Sequence, residues 1–240
     1  QRLLSQDLGT LQVGFESINR SPSFIYDQRS SFYLDALKTF SKENTAHFFA
    51  RYFIPKLQLR LNGDYYFVSN YLYLKGYKEL QQENAIFNLL RVSALKTFRL
   101  NRSWNVYSEV YVQQKAGGAE INVPLVYTRN RLAYEGRLFR NLNLSAGLEV
   151  RYHTPYRADN YSPLLGQFFY QDSLTISNRP DLHAYVHMRI RTFRAYVRVE
   201  NLNTASFDSG FGFKEHNFAA PNYPMPGMVF RIGIYWVFVN

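Results

Sequence analysis

Hydrophobic and polar residues alternate with period two along most of this chain, in segments of about ten residues. Successive side chains of a strand point to opposite faces, so this alternation predicts strands with two different environments. Ten segments carry it: Gly9–Asn19, Thr45–Ile54, Leu57–Val68, Ala85–Phe98, Ser103–Gln113, Val126–Leu138, Leu142–His153, Leu182–Arg191, Phe193–Asn201 and Met228–Val239. The fourth is the weakest, because both of its faces mix apolar and polar residues. The last is the cleanest. One parity is wholly apolar (Met228, Phe230, Ile232, Ile234, Trp236, Phe238), and the other carries Arg231, Gly233 and Tyr235. Lys78–Leu90 contains helix formers but lies between strands, and it reads as a loop with room for one helical turn. Phe32–Phe40 is assigned to the first long loop, since a strand there would break the phase of the rest.

The connections alternate in length. Short ones follow the second, fourth, sixth and eighth segments: Pro55–Lys56, Leu100–Arg102, Arg140–Asn141 and Thr192. Long ones follow the odd segments: Arg20–Asn44, Ser69–Asn84, Gln114–Leu125, Thr154–Asp181 and Leu202–Gly227. Short turns at one end and long loops at the other mark an outer-membrane β-barrel. Aromatics near strand ends (Phe15, Trp104, Tyr152, Phe193, Trp236) fit the interfacial girdles of such a barrel. Period two alone would equally fit a soluble sandwich with its apolar face inward. Loop asymmetry and aromatics favour the inverted arrangement, apolar toward lipid and polar toward the inside. The expected fold class is all-β, an antiparallel up-and-down transmembrane β-barrel with about ten strands, in a single domain spanning residues 1–240.

Composition narrows the chemistry. No run of about 18 apolar residues exists, which excludes a transmembrane helix but not a barrel. Tyr and Phe number 20 each, and cysteine is absent, which rules out disulfides and thiolate metal sites. No secretion signal or initiator Met stands at Gln1, so the sequence reads as a mature or trimmed form. The net charge is +10. Arg51, Arg60, Arg129, Arg131, Arg137, Arg151, Arg189, Arg191, Arg194, Arg198 and Arg231 all fall on polar parities. They share those faces with Glu16, Asp64, Glu109, Glu135, Glu149 and Glu200. Rings of arginine in a water-filled pore favour anions and phosphates. In a narrow ten-stranded barrel, pairs such as Arg137 with Glu135 and Arg151 with Glu149 would instead cross-link the interior; a wider barrel leaves them facing water.

Other chemistry is weakly signalled. His183 and His187 lie four residues apart on one strand face, about 13 Å, too far for one metal ion. Ser145, His153 and Asn143 share a face, but a triad is defined by geometry rather than by parity. The expectation is therefore no catalytic residue, no metal, no cofactor and no enzyme. The arginines are spread over nearly every strand rather than over one open face, which argues against a nucleic-acid groove. The aromatic loop Thr154–Asp181 reads as an external loop packed on its neighbours, with a pore constriction or solute lid as the functional alternative.

Two resemblances sharpen the picture. R-I-G-I-Y-W-V-F is similar to the C-terminal assembly signal of outer-membrane barrels, with Arg231, Gly233, Trp236 and Phe238 at its defining positions. N-V-P-L-V-Y-T-R-N-R-L-A-Y-E-G-R-L-F from Asn122, L-N-L-S-A-G-L-E-V-R-Y-H-T-P-Y-R from Leu142 and R-P-D-L-H-A-Y-V-H-M-R-I-R-T-F-R-A-Y-V-R-V-E-N from Arg179 resemble the C-terminal part of the "Putative porin" β-barrel family of Bacteroidetes-type Gram-negative bacteria. The resemblance implies an outer-membrane barrel, contacts with lipid and lipopolysaccharide, and recognition by the barrel-assembly machinery. The expected function is passive diffusion of small hydrophilic, anionic solutes. The alternative is a structural or partner-binding barrel within an envelope complex. If the 240 residues are a whole barrel, Met228–Val239 should pair with Gly9–Asn19; if they are a C-terminal portion, that edge should stay open.

Overall fold

Each alternating segment forms a strand in the computed structural model, which describes residues 2–3, 9–26, 39–206, 212–213 and 216–238. The strands are β1 (Thr10–Arg20), β2 (Glu43–Ile54), β3 (Leu59–Ser69), β4 (Phe87–Arg99) and β5 (Trp104–Ala116). They continue as β6 (Val126–Leu138), β7 (Leu142–His153), β8 (Asp181–Ile190), β9 (Phe193–Glu200) and β10 (Val229–Trp236). Every strand pairs antiparallel with its neighbours in sequence, so the sheet order is the chain order. A two-residue strand, Arg2–Leu3, pairs with Leu11 and Thr10 at the β1 edge.

The two faces are inverted relative to a soluble domain. Leu148 is 47% exposed while its neighbour Glu149 is 3% exposed. Val13, Phe48, Phe67, Leu132, Val186, Ile232 and Ile234 are also exposed, whereas Asp64, Ser93 and His183 are buried. The polar face is therefore the concave one, where side chains from several strands crowd together. This is the arrangement expected of a barrel wall. Of the aromatics expected at strand ends, Trp104 meets Tyr134 at 5.6 Å and Phe193 meets Trp236 at 5.9 Å, both edge to face beside the short turns. Phe15 lies mid-strand instead, against Phe48 at 4.8 Å.

The sheet does not close. Among the described residues, β10 pairs with β9 alone, and no ladder joins it to β1 or to Arg2–Leu3. The pairing expected of a whole barrel is absent, and the open-edge expectation describes the sheet. Val239, and Phe32 to Lys38 of the Phe32–Phe40 stretch, lie outside the described residues. The helical turn allowed for within Lys78–Leu90 does not form. Glu79–Glu83 is a strand paired with Tyr71–Lys75, because Leu80 faces Leu74 and Lys75 faces Glu79 across that hairpin. Burial against neighbouring loops outweighs the helix preference of E-L-Q-Q-E.

Gly233 of the terminal signal has a packing reason. It stands directly opposite Tyr196 on β9, and a Cβ there would sit 2.2 Å from that ring. Gly14 accommodates Phe49 in the same way. Gly233→Val should cost about 1–3 kcal/mol by overpacking, lowering the urea midpoint of the lipid-reconstituted protein. Gly63→Ala, whose Cβ meets nothing within 4 Å, is the control and should leave the midpoint in place.

Candidate functional site: the inward face and its loop cap

Strand parity places the inward arginines, and cross-strand register decides which of them find acids. On the β1–β4 side the centre is Asp64, whose side chain is 3% exposed. Its carboxylate lies 2.8 Å from His47 Nε2 and 2.6 Å from Arg51 Nη2, and accepts a longer bond from Arg91 Nη2 at 3.3 Å. His47 Nδ1 reaches Glu16 at 3.2 Å, and its ring stacks on Tyr66 at 4.2 Å. Two acids are thus matched by two arginines. Arg91 escapes the sequence reading because Leu89 and Leu95 share its face and blur the parity of β4.

On the β6–β10 side the centre is Glu149, also 3% exposed at its side chain. Arg129 donates to its Oε2 through Nη2 at 2.7 Å and Nε at 3.0 Å. Arg151 donates to its Oε1 through Nε at 2.8 Å, and Arg198 Nη2 stands 3.5 Å away. Glu200 joins Arg198 to Arg231, each Nε 3.0 Å from one of its oxygens. Glu109 adds a distant 3.9 Å contact to Arg129. Charge-assisted, multidentate bonding of this kind is what lets a carboxylate stay ionised when crowded.

The other candidate arginines have no acidic partner among the described residues. Arg131 lies over the Tyr107 ring at 4.3 Å, and Arg60 over Phe53 at 5.8 Å. Arg137, Arg189 and Arg194 occupy the short-turn end of β6, β8 and β9, and Arg191 sits in the turn beyond β8 at φ 52. Glu135 is not bonded to Arg137; it accepts instead from Asn105 at 3.0 Å and Tyr107 at 2.7 Å, both on β5. Apart from Arg131, which stands opposite Glu149 at mid-strand, the wall therefore carries matched charges at mid-height and toward the long loops, and unmatched arginines toward the short turns. Ser145 and His153 lie eight residues apart on β7, about 26 Å, and are not brought together. Among the described residues, no three His, Asp or Glu side chains converge as a metal site needs.

The long loops make their own apolar core. Leu74, Leu80 and Phe169 are buried together, flanked by Leu72 and Leu165. Phe169 belongs to a small hairpin, Asn160–Ser162 with Gln167–Phe169, inside the β7–β8 loop. Tyr170 N–H donates to Leu74 O at 2.7 Å, and Ser162 Oγ donates to Tyr77 O at 2.8 Å. The same loop bonds the β9–β10 loop through Asn178 and Phe218. It thus spans from the β9–β10 loop to the β3–β4 hairpin, which starts four strands away, about 19 Å. The loop does pack on its neighbours, as the sequence suggests, and in doing so it bridges one end of the curved wall. Burial pushes the Tyr71 hydroxyl up to about 12 and raises Asp159 above the usual carboxylate range, against an opposing bond from Asn122. Phe169→Ala should loosen this cap by about 3–4 kcal/mol. Protease cleavage within 154–181 should then appear while hydrogen exchange in β1–β10 stays slow.

Comparison with known proteins follows this geometry. The sequence profile of the family described as "Putative porin" matches residues 2–240. A search of curated proteins finds no match. Among solved structures, the copper transporter OprC superposes with a TM-score of 0.68 at 17% identity, over 97% of this chain and 38% of that one. A point mutant of the ferric enterobactin receptor PfeA of Pseudomonas aeruginosa gives 0.62 at 13% identity, over 97% and 38%. Another variant of that receptor, bound to enterobactin, gives 0.61 at 12%, over 98% and 39%. At these identities the likeness concerns the fold, and the chain spans about two fifths of the length of the proteins it matches.

Proposed function

This chain belongs to the "Putative porin" family, and from that premise we propose that its strands wall a water-filled channel through which small hydrophilic anions diffuse passively. The fold is that of an outer-membrane β-barrel, and the chain resides in the bacterial outer membrane. The observation that carries the channel reading is the inward face, whose arginines outnumber the acids that hold them. Lipid gives no partner to the backbone groups of an open strand edge, each costing several kcal/mol. In our reading the ten strands are therefore one sector of a wider wall completed by further strands. Width matters because larger barrels leave an aqueous lumen where small ones fill with side chains.

Planar-bilayer recording of the full-length protein in a salt gradient tests this. The expected reversal potential is that of an anion-selective pore. Cation selectivity, or the absence of conductance, would sink the reading. A second reading is favoured by one observation, the loop cap that bridges the end of the wall: a barrel that serves as a scaffold in an envelope complex without an open lumen. Liposome swelling separates the two, since the scaffold admits no sugar or amino acid. We expect contacts with lipid and lipopolysaccharide along the apolar face, and recognition of the Arg231, Gly233, Trp236 and Phe238 strand by the assembly machinery. No catalysis and no nucleic-acid partner are proposed.

A further inference from the structure

Three of the unmatched arginines, Arg137, Arg189 and Arg194, form one row. Asn143 on β7 stands opposite Arg137 on β6 and opposite Arg189 on β8. Arg189 stands directly opposite Arg194 on β9, and Arg194 opposite Tyr235 on β10. Five adjacent strands thus present Arg, Asn, Arg, Arg and Tyr at one level of the inward face, beside the short turns. Like charges directly opposite on a sheet are destabilising unless something lies between them. Nothing in the described chain does. Arg189 Nε reaches only the Arg191 carbonyl at 3.3 Å, and the Arg194 guanidinium lies 5.9 Å from the Tyr235 ring centroid. Glu135, one level away on β6, is occupied by Asn105 and Tyr107. The segments 136–148, 184–199 and 229–238 contain no Asp or Glu at all. Arg189, Arg194, Asn143, His187 and Tyr235 line a hollow of about 820 Å³.

We propose that this row is a binding site for a tetrahedral oxyanion, the phosphate of a small phosphorylated solute or inorganic phosphate itself. The proposal rests on the anion-channel reading and gives that channel a selective station at its short-turn mouth. Two guanidiniums offer planar forks that match phosphate oxygens, and Asn143 and Tyr235 add neutral donors around them. A halide would gain the charge but not the forked geometry. Above this level most arginines are held by Asp64, Glu149 and Glu200, and Arg131 lies over the Tyr107 ring, so a solute meets mainly matched charge before the row.

The test is 31P NMR titration of inorganic phosphate against the full-length protein in detergent, in wild type and in the double variant R189Q/R194Q. Removing two charged donors should weaken binding by at least about tenfold. Tryptophan fluorescence checks folding, which the loss of facing like charges should not impair. The charge-matched control R20Q/K42Q, at the opposite ends of the strands, should bind as wild type does. Absence of phosphate binding in wild type overturns the site, and so does equal binding in R189Q/R194Q. An anion-selective pore without phosphate binding would overturn this site alone. Phosphate binding in a protein with no anion-selective conductance would leave the site standing and remove the channel.

Discussion

Replacing Glu149 by glutamine should destabilise the folded protein by about 2–4 kcal/mol. Removing one partner of a buried ion pair costs roughly 3–5 kcal/mol. The discount comes from Arg129, Arg151 and Arg198, whose side chains are 26–36% exposed and so partly screened by water. The glutamine keeps the shape and one acceptor oxygen, so the loss is mainly of charge: three guanidiniums would then crowd a neutral group. Urea unfolding in lipid vesicles, followed by tryptophan fluorescence, reads the shift. Asp64→Asn should behave similarly but more mildly, because it holds two arginines and His47. A change at Glu149 below about 0.5 kcal/mol, the size of an exposed pair, would show that the cluster is solvated and contributes little.

The adjacent residue should fail for the opposite reason. Leu148→Arg places a charge on the exposed apolar face, where Leu148 stands opposite Leu132 and Ala184 near mid-strand. At the midplane of a bilayer, arginine on the lipid face of a barrel costs about 2–4 kcal/mol. In detergent micelles, which water enters more easily, the cost should shrink. The comparison matters more than either value. Two neighbouring residues of β7 give large losses, one by removing a charge and one by adding it, as a wall between lipid and water requires. A soluble sandwich with its apolar face inward would also resist arginine at Leu148, but Glu149 would then face bulk water and its loss would cost little.

Much of the fold is written in period two. Val126–Leu138 and Leu142–His153 are strands over the residues that their alternation marks, because each face meets a single environment along its whole length. Legibility falls where that condition fails. In β4, Leu89 and Leu95 sit inward beside Arg91 and Ser93, so the parity is mixed and the part Arg91 plays around Asp64 is hidden. In the β3–β4 loop, E-L-Q-Q-E prefers helix locally, and burial of Leu80 against Leu74 and the distant Phe169 favours the strand instead.

The charge pairing was partly legible. Arg151 with Glu149 is a same-face neighbour pair and forms. Arg137 with Glu135 has identical spacing but does not form, because Asn105 and Tyr107 of β5 reach Glu135. Which cross-strand group arrives first depends on register, and period two does not carry register. The row Arg137, Asn143, Arg189 and Arg194 is invisible in sequence for the same reason: its members lie on four strands and meet only once the ladders are set.

The central claim is that the apolar parity faces lipid and the charged parity faces water. It is tested most directly by a nitroxide scan of β7, which the absence of cysteine from these 240 residues simplifies. Spin labels placed one at a time from Leu142 to His153, in the full-length protein in lipid vesicles, are probed for collision with oxygen, which concentrates in the bilayer, and with a water-soluble nickel chelate. Oxygen collision is expected at Leu144, Ala146, Leu148 and Val150, and nickel collision at Asn143, Ser145 and Arg151; Gly147 is left out because a Cβ there would lie 2.3 Å from the Leu132 carbonyl oxygen. Nickel collision at the leucine parity, with both reagents excluded from the arginine parity, would contradict the claim.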